Sequence, residues 1–327
     1  MAIALPFWRS IVAMHSWDSH WFWVFDFHWA RGQDTRSTHL PHHPITPSPR
    51  HFPIHPSTPM PSQTLRLASF DVGTDDLRWW APEILERYPD GFYTMHCQLF
   101  DEVCEKSQPN DLGGVELTQV ELIKYEPRKD HYPTDDELAE LDGIVISGSA
   151  AGAYDQEDWV LELQAVIRDY HQRQIRLSGF SFAPQIVAQA LGGRVERNPP
   201  GTELSVVTIN LSEEAQQYFG CDRPSYAIQV HHNDGVTQLP AGAVSLGTSG
   251  VTEYLGWMLG SHILVFSGHP EYSRDPWILE RMMLVERRDR LVPAQLIDYG
   301  LQNLWNPTDY LWQTQQQFRF FLGQLRV

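Results

Sequence analysis

The sequence predicts an α/β protein built on a doubly wound, mostly parallel sheet. Residues 141–150 read LDGIVISGSA, an apolar run ending in small residues that is typical of a parallel strand buried on both faces. Residues 157–174, EDWVLELQAVIRDYHQRQ, repeat apolar side chains every three to four positions, as an amphipathic helix does. A strand at 174–180 and a helix at 184–193 follow, and this alternation of strand and helix favours a parallel sheet.

Further elements extend the pattern in both directions. Residues 65–72 and 120–127 each predict a core strand, and residues 79–103 between them predict one or two helices. Later strands are predicted at residues 204–211, 226–232, 244–249, 255–260 and 262–269. From Pro276 onward the pattern is mostly helical, and we expect this part to pack on the sheet rather than to form a separate domain.

Composition excludes several classes of protein. The chain has 327 residues, 42% of them hydrophobic, and a net charge of −17, which repels the phosphates of nucleic acid. No apolar stretch is long enough to span a bilayer. Three cysteines, Cys97, Cys104 and Cys221, fit neither a zinc site nor a disulfide framework. We therefore expect an acidic cytoplasmic protein that binds neither membrane nor nucleic acid.

Residues 1–62 differ from residues 63–327, which hold the alternating pattern. The first segment contains eight of the fifteen histidines and nine of the prolines, and residues 39–62 show neither helical nor strand periodicity. Such proline density predicts a disordered tail, and the irregular histidine spacing does not predict a metal site. Alternatively, the natural chain begins at Met60 and the preceding residues are an extension of the gene model.

Candidate functional residues follow three of the predicted strands. Gly148 and Ser149 follow the strand at 141–147, Ser181 follows the strand at 174–180, and the sequence Gly-His-Pro-Glu at 268–271 follows the last strand. Ligands of open α/β sheets bind at the carboxyl ends of the strands. The sequence therefore predicts a site at this edge of the sheet.

The second of these strand ends has the form of a nucleophile elbow. Ser181 stands at the apex of GFSFA, flanked by Gly179 and Ala183, and a sharp strand-to-helix turn requires small residues at both positions. Pro184 suits the first turn of a helix, where its missing N–H leaves no donor unpaired. The alternative interpretation is an ordinary helix start without catalytic function.

The other two strand ends supply the remaining parts of a hydrolytic site. His269 can act as a base, and Glu271 can orient it, which with Ser181 gives a Ser–His–Glu set. The backbone N–H of Phe182 and the loop at Gly148 and Ser149 can bind a developing oxyanion. Alternatively, His269 is a loop histidine and Glu271 a solvated carboxylate.

Taken together, these segments resemble a family. In order along the chain, DGIVISGSAAGAYDQEDW, GFSFAPQIVAQALGGRVE, HHNDGVTQLPAGAVSLGTS and FSGHPEYS are similar to the motifs of a stand-alone class I glutamine amidotransferase-like domain. The resemblance covers residues 65–275, about two thirds of the chain. It implies the flavodoxin-like fold of that family and the hydrolysis of the glutamine amide to glutamate and ammonia.

The resemblance assigns roles residue by residue. The family's nucleophilic cysteine corresponds to Ser181, and its catalytic histidine and glutamate correspond to His269 and Glu271. Gln185 matches the glutamine of the elbow motif, and Gly148 matches the oxyanion-loop glycine.

Other positions match less closely. His232 and Asp234 match a His-x-Asp motif with a structural or substrate-side role. Ala183 and Pro184 replace the glycine and histidine of the family's elbow, so its departures concentrate around Ser181. The resemblance implies no cofactor and no metal.

The serine leaves three hypotheses open. A serine hydroxyl must lose its proton as it attacks, whereas a cysteine is partly thiolate at neutral pH, so the exchange affects the mechanism directly. The chain is an amidotransferase-like or γ-glutamyl-hydrolase-like enzyme with a serine nucleophile, a catalytically silent relative that binds a metabolite or partner enzyme, or a serine hydrolase or acyltransferase acting on a pathway intermediate. Fungal relatives imply secondary metabolism, and released ammonia would pass to a partner synthetase.

Overall fold

A computed structural model of the chain describes residues 62–199 and 201–325. The expectations for the amino-terminal segment, whether a tail or an extension before Met60, fall on residues 1–61 and lie outside the described residues.

Strands form three sheets within the described residues. They are β1 Ser62–Phe70, β2 Glu116–Tyr125, β3 Gly143–Ile146, β4 Leu177–Phe180, β5 Arg194–Arg197, β6 Glu203–Leu211, β7 Ser225–His232, β8 Asp234–Gln238, β9 Val244–Ser245, β10 Gly247–Thr248, β11 Gly256–Leu259 and β12 Ile263–Phe266. The central sheet has the order β2-β1-β3-β4-β12-β11-β9. Its first five strands are parallel, and β11 pairs antiparallel with both β12 and β9, which confirms the predicted mostly parallel α/β fold.

Helices connect and flank these strands. They are α1 Thr74–Trp80, α2 Glu83–Arg87, α3 Phe92–Lys106, α4 Asp135–Leu138, α5 Asp158–Gln172, α6 Phe182–Ala190, α7 Glu213–Phe219, α8 Pro270–Arg274, α9 Trp277–Asp289, α10 Ala294–Asn303 and α11 Tyr310–Phe321. None of the helices in the described part of the chain is both long enough and apolar enough to cross a membrane.

The central strands are buried on both faces, which explains their uninterrupted apolar sequences. In β3, Val145 belongs to one core cluster, whereas Ile144 and Ile146 belong to the cluster on the opposite face. The same alternation places Phe266 on the first face and Val265 on the second. Phe318 and Phe320 of α11 also pack into the first cluster.

The structure corrects three details of the predicted elements. Residues 79–103 lie in three helices instead of one or two, because Pro82 begins α2 and Gly91, with φ +53°, precedes α3. The single strand expected at 244–249 is split between two sheets at β9 and β10. The antiparallel pair β5 and β8 has no predicted counterpart, because β5 buries only one of its four side chains and shows little apolar pattern.

Adjacent parallel strands bring the predicted site together. Strands β3, β4 and β12 are neighbours, and Gly179 pairs with Ile146 on one side and with Val265 on the other. The segments after these three strands therefore emerge at one edge of the sheet.

Candidate active site

Ser181 lies in the sharp turn between β4 and α6. Its backbone has φ 57° and ψ −91°, and its N–H donates a 2.8 Å hydrogen bond to the carbonyl of Phe266. A Cβ on Gly179 would lie 2.3 Å from the carbonyl oxygen of Ile146 and 2.6 Å from Cβ of Ala183. No larger side chain fits at Gly179, so the small residues predicted for the turn have a direct steric reason.

The conformation of Ser181 is unfavourable for a residue with a side chain. Positive φ at a non-glycine residue costs about 1–3 kcal/mol and is concentrated at functional sites. Ser181 is 8% exposed and lines the large cavity at this edge of the sheet. Its hydroxyl makes no hydrogen bond to any residue in 62–199 or 201–325. The turn thus presents an unengaged hydroxyl to the cavity.

His269 and Glu271 form a buried pair. Nδ1 of His269 donates a 2.6 Å hydrogen bond to Oε1 of Glu271, since a carboxylate can only accept. The two residues are 2% and 1% exposed. The ring of Tyr272 stacks on the imidazole, with 3.9 Å between ring centroids and an 8° interplanar angle. The backbone N–H of His269 donates to the backbone carbonyl of Gln229. With Nδ1 carrying the proton, Nε2 is left as the acceptor of the ring.

Burial and the mutual contact of the two side chains act in opposite directions on the protonation of this pair. Burial lowers the pKa of His269, although the charge and hydrogen bond of Glu271 act in the opposite direction. Burial would raise the pKa of Glu271, but the charge and hydrogen bond of His269 outweigh it, so that pKa is lowered. A neutral imidazole beside a carboxylate is the state that a general base requires.

Backbone N–H groups next to the turn are available to bind an anion. Gly148 is buried beside the imidazole of His269, since a Cβ placed on Gly148 would lie 3.2 Å from Cε1 of that ring. Within the described residues no group accepts a hydrogen bond from the N–H of Gly148, Ser149 or Phe182. These positions match the predicted oxyanion donors.

The hydroxyl of Ser149 takes part in a side-chain hydrogen-bond network. It accepts from Nη2 of Arg128 at 3.0 Å and donates to Oδ2 of Asp76 at 3.1 Å. Arg128 also donates to both carboxylate oxygens of Asp76 at 2.9 Å and stacks 4.3 Å above the ring of Trp159. The N–H of Ala150 donates to the same carboxylate at 2.9 Å. This network fixes the loop that carries Gly148, and Asp76 and Arg128 were not among the predicted site residues.

Gln185, His232 and Asp234 form one wall of the cavity. Nε2 of Gln185 and Nδ1 of His232 both donate to the backbone carbonyl of Asp234, at 3.1 and 3.0 Å. Nε2 of His232 lies 3.2 Å from the carboxylate of Glu203. Burial would raise the pKa of Glu203, but hydrogen bonds from His232 and two hydroxyl side chains outweigh it, so that pKa is lowered. The side chains of Gln185 and His232 therefore hold the loop at Asp234.

The cavity has a volume of about 800 Å³ and two kinds of lining. Ser181, His269 and Gly148 lie in it together with an apolar group formed by Leu77, Trp80, Met282 and Val292. In the part of the chain that the structure describes, no group of three or more His, Cys, Asp or Glu side chains is arranged to hold a metal ion.

A second histidine–carboxylate pair lines the same cavity. Nε2 of His231 lies 3.0 Å from Oε1 of Glu286, and Trp80 stacks on the imidazole at 5.7 Å. Glu286 comes from α9, 55 residues after His231. His231 begins the segment HHNDGV, but no sequence pattern links it to Glu286, so this pair was not predicted.

Known proteins resemble the chain in sequence and in fold. No protein-family model matches it. γ-Glutamyl peptidase 4 of Arabidopsis thaliana is 34% identical over 148 residues, which are 44% of this chain and 59% of the peptidase. A Schizosaccharomyces pombe protein named as glutamine amidotransferase-like is 29% identical over 180 residues, covering 54% of this chain and 71% of that protein. The match to the peptidase thus spans about three fifths of its length.

A solved structure shares the fold. The glutamine amidotransferase of Methylobacillus flagellatus has a TM-score of 0.53 and 15% identity, and the match covers 80% of this chain and 95% of that chain. At this identity the likeness shows the fold alone, a mostly parallel sheet with flanking helices. The correspondence of Ser181 to a nucleophilic cysteine stays a prediction.

Proposed function

We propose that the protein cleaves the side-chain amide of glutamine or of a γ-glutamyl compound, with Ser181 as nucleophile. The observation that carries the proposal is the convergence of Gly148, Ser181 and His269 on one cavity, with His269 hydrogen-bonded to the buried Glu271. The names of the similar proteins, a γ-glutamyl peptidase and a glutamine amidotransferase-like protein, support this class of substrate.

Each residue of the site has a separate role in the proposed reaction. Nε2 of His269 removes the proton of the Ser181 hydroxyl as the oxygen attacks the amide carbon. The N–H groups of Phe182 and Gly148 bind the negative oxygen of the tetrahedral intermediate. His269 then gives its proton to the departing nitrogen, which leaves an ester on Ser181. Water or an acceptor amine attacks that ester with His269 again as base, and Glu271 keeps the imidazole in the required tautomer.

Gln185, His232 and Asp234 act in this proposal as the substrate-side wall. Gln185 and His232 hold the loop at Asp234 through its carbonyl, so this loop is fixed before the substrate binds. In this proposal the protein acts in the cytoplasm and does not bind nucleic acid. The released amine or ammonia is taken up by a synthetase or a secondary-metabolite enzyme.

A specific observation favours a second candidate, a catalytically silent relative that binds a metabolite or partner. The Ser181 hydroxyl makes no hydrogen bond to His269, or to any other described residue. A site shaped for a thiolate would hold a larger atom at that position, and a hydroxyl without a contacting base is a weak nucleophile.

Glutamate release separates the two candidates. The purified protein is incubated with glutamine and with γ-glutamyl dipeptides, alongside Ser181→Ala and Ser181→Cys. The serine-enzyme proposal predicts a measurable rate for the wild type that Ser181→Ala abolishes. An inert wild type together with an active Ser181→Cys would reject it and favour the silent relative.

A further inference from the structure

Glu286 lies in the wall of the cavity with half of its carboxylate unused. Its side chain is 4% exposed, and Oε1 is taken by His231 at 3.0 Å. Oε2 is fully buried, and no described residue donates a hydrogen bond to it. A buried carboxylate oxygen without a donor is costly, and such atoms in folded proteins call for a functional explanation.

Among the described residues, no lysine or arginine side chain forms an ion pair with Glu286. Four acidic residues among those the structure describes line the cavity, Asp76, Asp155, Asp234 and Glu286. Asp76 is paired with Arg128 and Asp234 with Arg197, whereas Asp155 and Glu286 have no lysine or arginine partner among the described residues. Arg197 is 73% exposed and lies 3.5 Å from Asp234. The cavity therefore carries an excess of negative charge and attracts a cationic group.

We propose that Glu286 and His231 form an ammonium subsite for the substrate. The subsite rests on the proposed function, because it shares the cavity with Ser181, and it names the group of the substrate that this wall recognises, an ammonium. The carboxylate of Glu286, which lies in the cavity wall, binds that ammonium, and His231, stacked on Trp80, holds the carboxylate in place. Leu77, Met282 and Val292 line the same cavity and suit an aliphatic chain that bears the ammonium.

Two groups of a γ-glutamyl substrate can supply this ammonium: the α-ammonium of the glutamyl part, or an ammonium on the leaving amine. Three probes separate them. γ-Glutamyl butylamide carries only the α-ammonium, γ-glutamyl 4-aminobutylamide carries both, and N-acetyl-γ-glutamyl butylamide carries neither. The values of kcat/KM are compared between the wild type and Glu286→Gln, which keeps the shape and removes the charge.

A charged hydrogen bond lost from a buried site lowers kcat/KM by about 10- to 100-fold. If Glu286 binds the leaving amine, Glu286→Gln shows this loss for the 4-aminobutylamide relative to the butylamide. If it binds the α-ammonium, the loss appears for the butylamide relative to its N-acetyl form. Glu280→Gln on the same helix, at a position outside the cavity, leaves both ratios unchanged. Equal effects of Glu286→Gln on all three probes, or no effect on any, would overturn the subsite.

Binding tests the subsite independently of catalysis. Calorimetric titration of 1,4-diaminobutane into the wild type is expected to show binding that weakens by about 10-fold or more in Glu286→Gln. This result supports the subsite even if Ser181 proves inert, so failure of the proposed function does not decide it. No binding of the diamine, or equal binding to both proteins, together with unchanged probe ratios, contradicts it.

Discussion

The turn at Ser181 and the pair at His269 lie after neighbouring strands but are held in different ways. Ser181 is fixed through its backbone, by a positive φ and by steric contacts around Gly179, while its hydroxyl is unengaged. His269 is fixed through its side chain, by the 2.6 Å hydrogen bond to Glu271 and the stacking of Tyr272. The proposed base, His269, thus already has the carboxylate partner that its role requires, whereas the hydroxyl of the proposed nucleophile, Ser181, has no hydrogen-bond partner among the described residues. If the protein proves inactive, we expect the cause to lie at Ser181 rather than at His269.

The largest expected effect comes from breaking the side-chain support of the base. Glu271→Gln retains the shape but allows the amide to donate to Nδ1, which favours the wrong imidazole tautomer. Activity on the best γ-glutamyl substrate is expected to fall by about 10⁴-fold, as for the carboxylate of a serine protease triad. Glu253→Gln, an exposed carboxylate, serves as the control. A loss of less than about 10-fold, outside the range expected for general-base support, would show that Glu271 does not orient the base.

A substitution at Gly179 tests whether the turn at Ser181 depends on the small size of its neighbouring residues. Gly179→Ala places a Cβ 2.3 Å from the carbonyl oxygen of Ile146, so strand and helix must separate. We expect a decrease of about 3 kcal/mol in the free energy of unfolding, measured by urea denaturation. Gly250→Ala, which introduces no contact within 4 Å, controls for the added methyl group. Equal stability of both variants would mean that the turn relaxes without strain.

The loop at Gly148 is held by charges rather than by sterics or stacking. Arg128→Met removes the donor shared by Asp76 and Ser149 and leaves a partly buried carboxylate without its cation. The expected cost is about 2 kcal/mol of unfolding free energy, whereas Arg173→Met, whose ion pairs are exposed, is expected to leave the unfolding free energy almost unchanged. Equal losses in the two variants would show that the network contributes no more than a surface pair.

A smaller effect is expected from the histidine that packs near the base. His96 is fully buried, its two nitrogens have no partner among the described residues, and it stacks on Phe100. Burial lowers its pKa from 6.5, against the opposing charge of Glu271. The unfolded chain therefore binds a proton below pH 6.5 that the folded protein excludes, so stability falls as the pH falls until the folded-state pKa is reached.

His96→Leu tests this linkage. The variant is expected to flatten the pH dependence of the unfolding free energy between pH 6.5 and 5, by at most about 1.4 kcal/mol per pH unit. His269 has a lowered pKa as well, so part of the slope remains in the variant. An unchanged slope, measured by urea denaturation at several pH values, would show that His96 does not titrate on unfolding.

The sequence predicted the features of the site that depend on residues close together in the chain. It did not predict the contacts between residues that are far apart in the chain. The turn at Ser181 was visible because a strand, small flanking residues and a helix follow one another within GFSFAPQ. The pair of His269 and Glu271 was visible because the two are two residues apart. The contacts of Asp76 with Ser149 and of His231 with Glu286 join positions 73 and 55 residues apart. No local pattern marks such contacts, because each arises only when segments far apart in the chain pack together: α1 with the loop after β3, and β7 with α9.

The central proposal, that Ser181 acts as the nucleophile with His269 as its base, is tested most directly by covalent labelling with a fluorophosphonate. In this reaction the Ser181 oxygen bonds to phosphorus, fluoride leaves, and the hydroxyl proton passes to His269. Intact-mass and peptide mass spectrometry are expected to find one adduct, on Ser181, that is absent in Ser181→Ala and forms far more slowly in His269→Ala. No adduct on the folded wild type, or an adduct that persists in Ser181→Ala, would contradict the proposal.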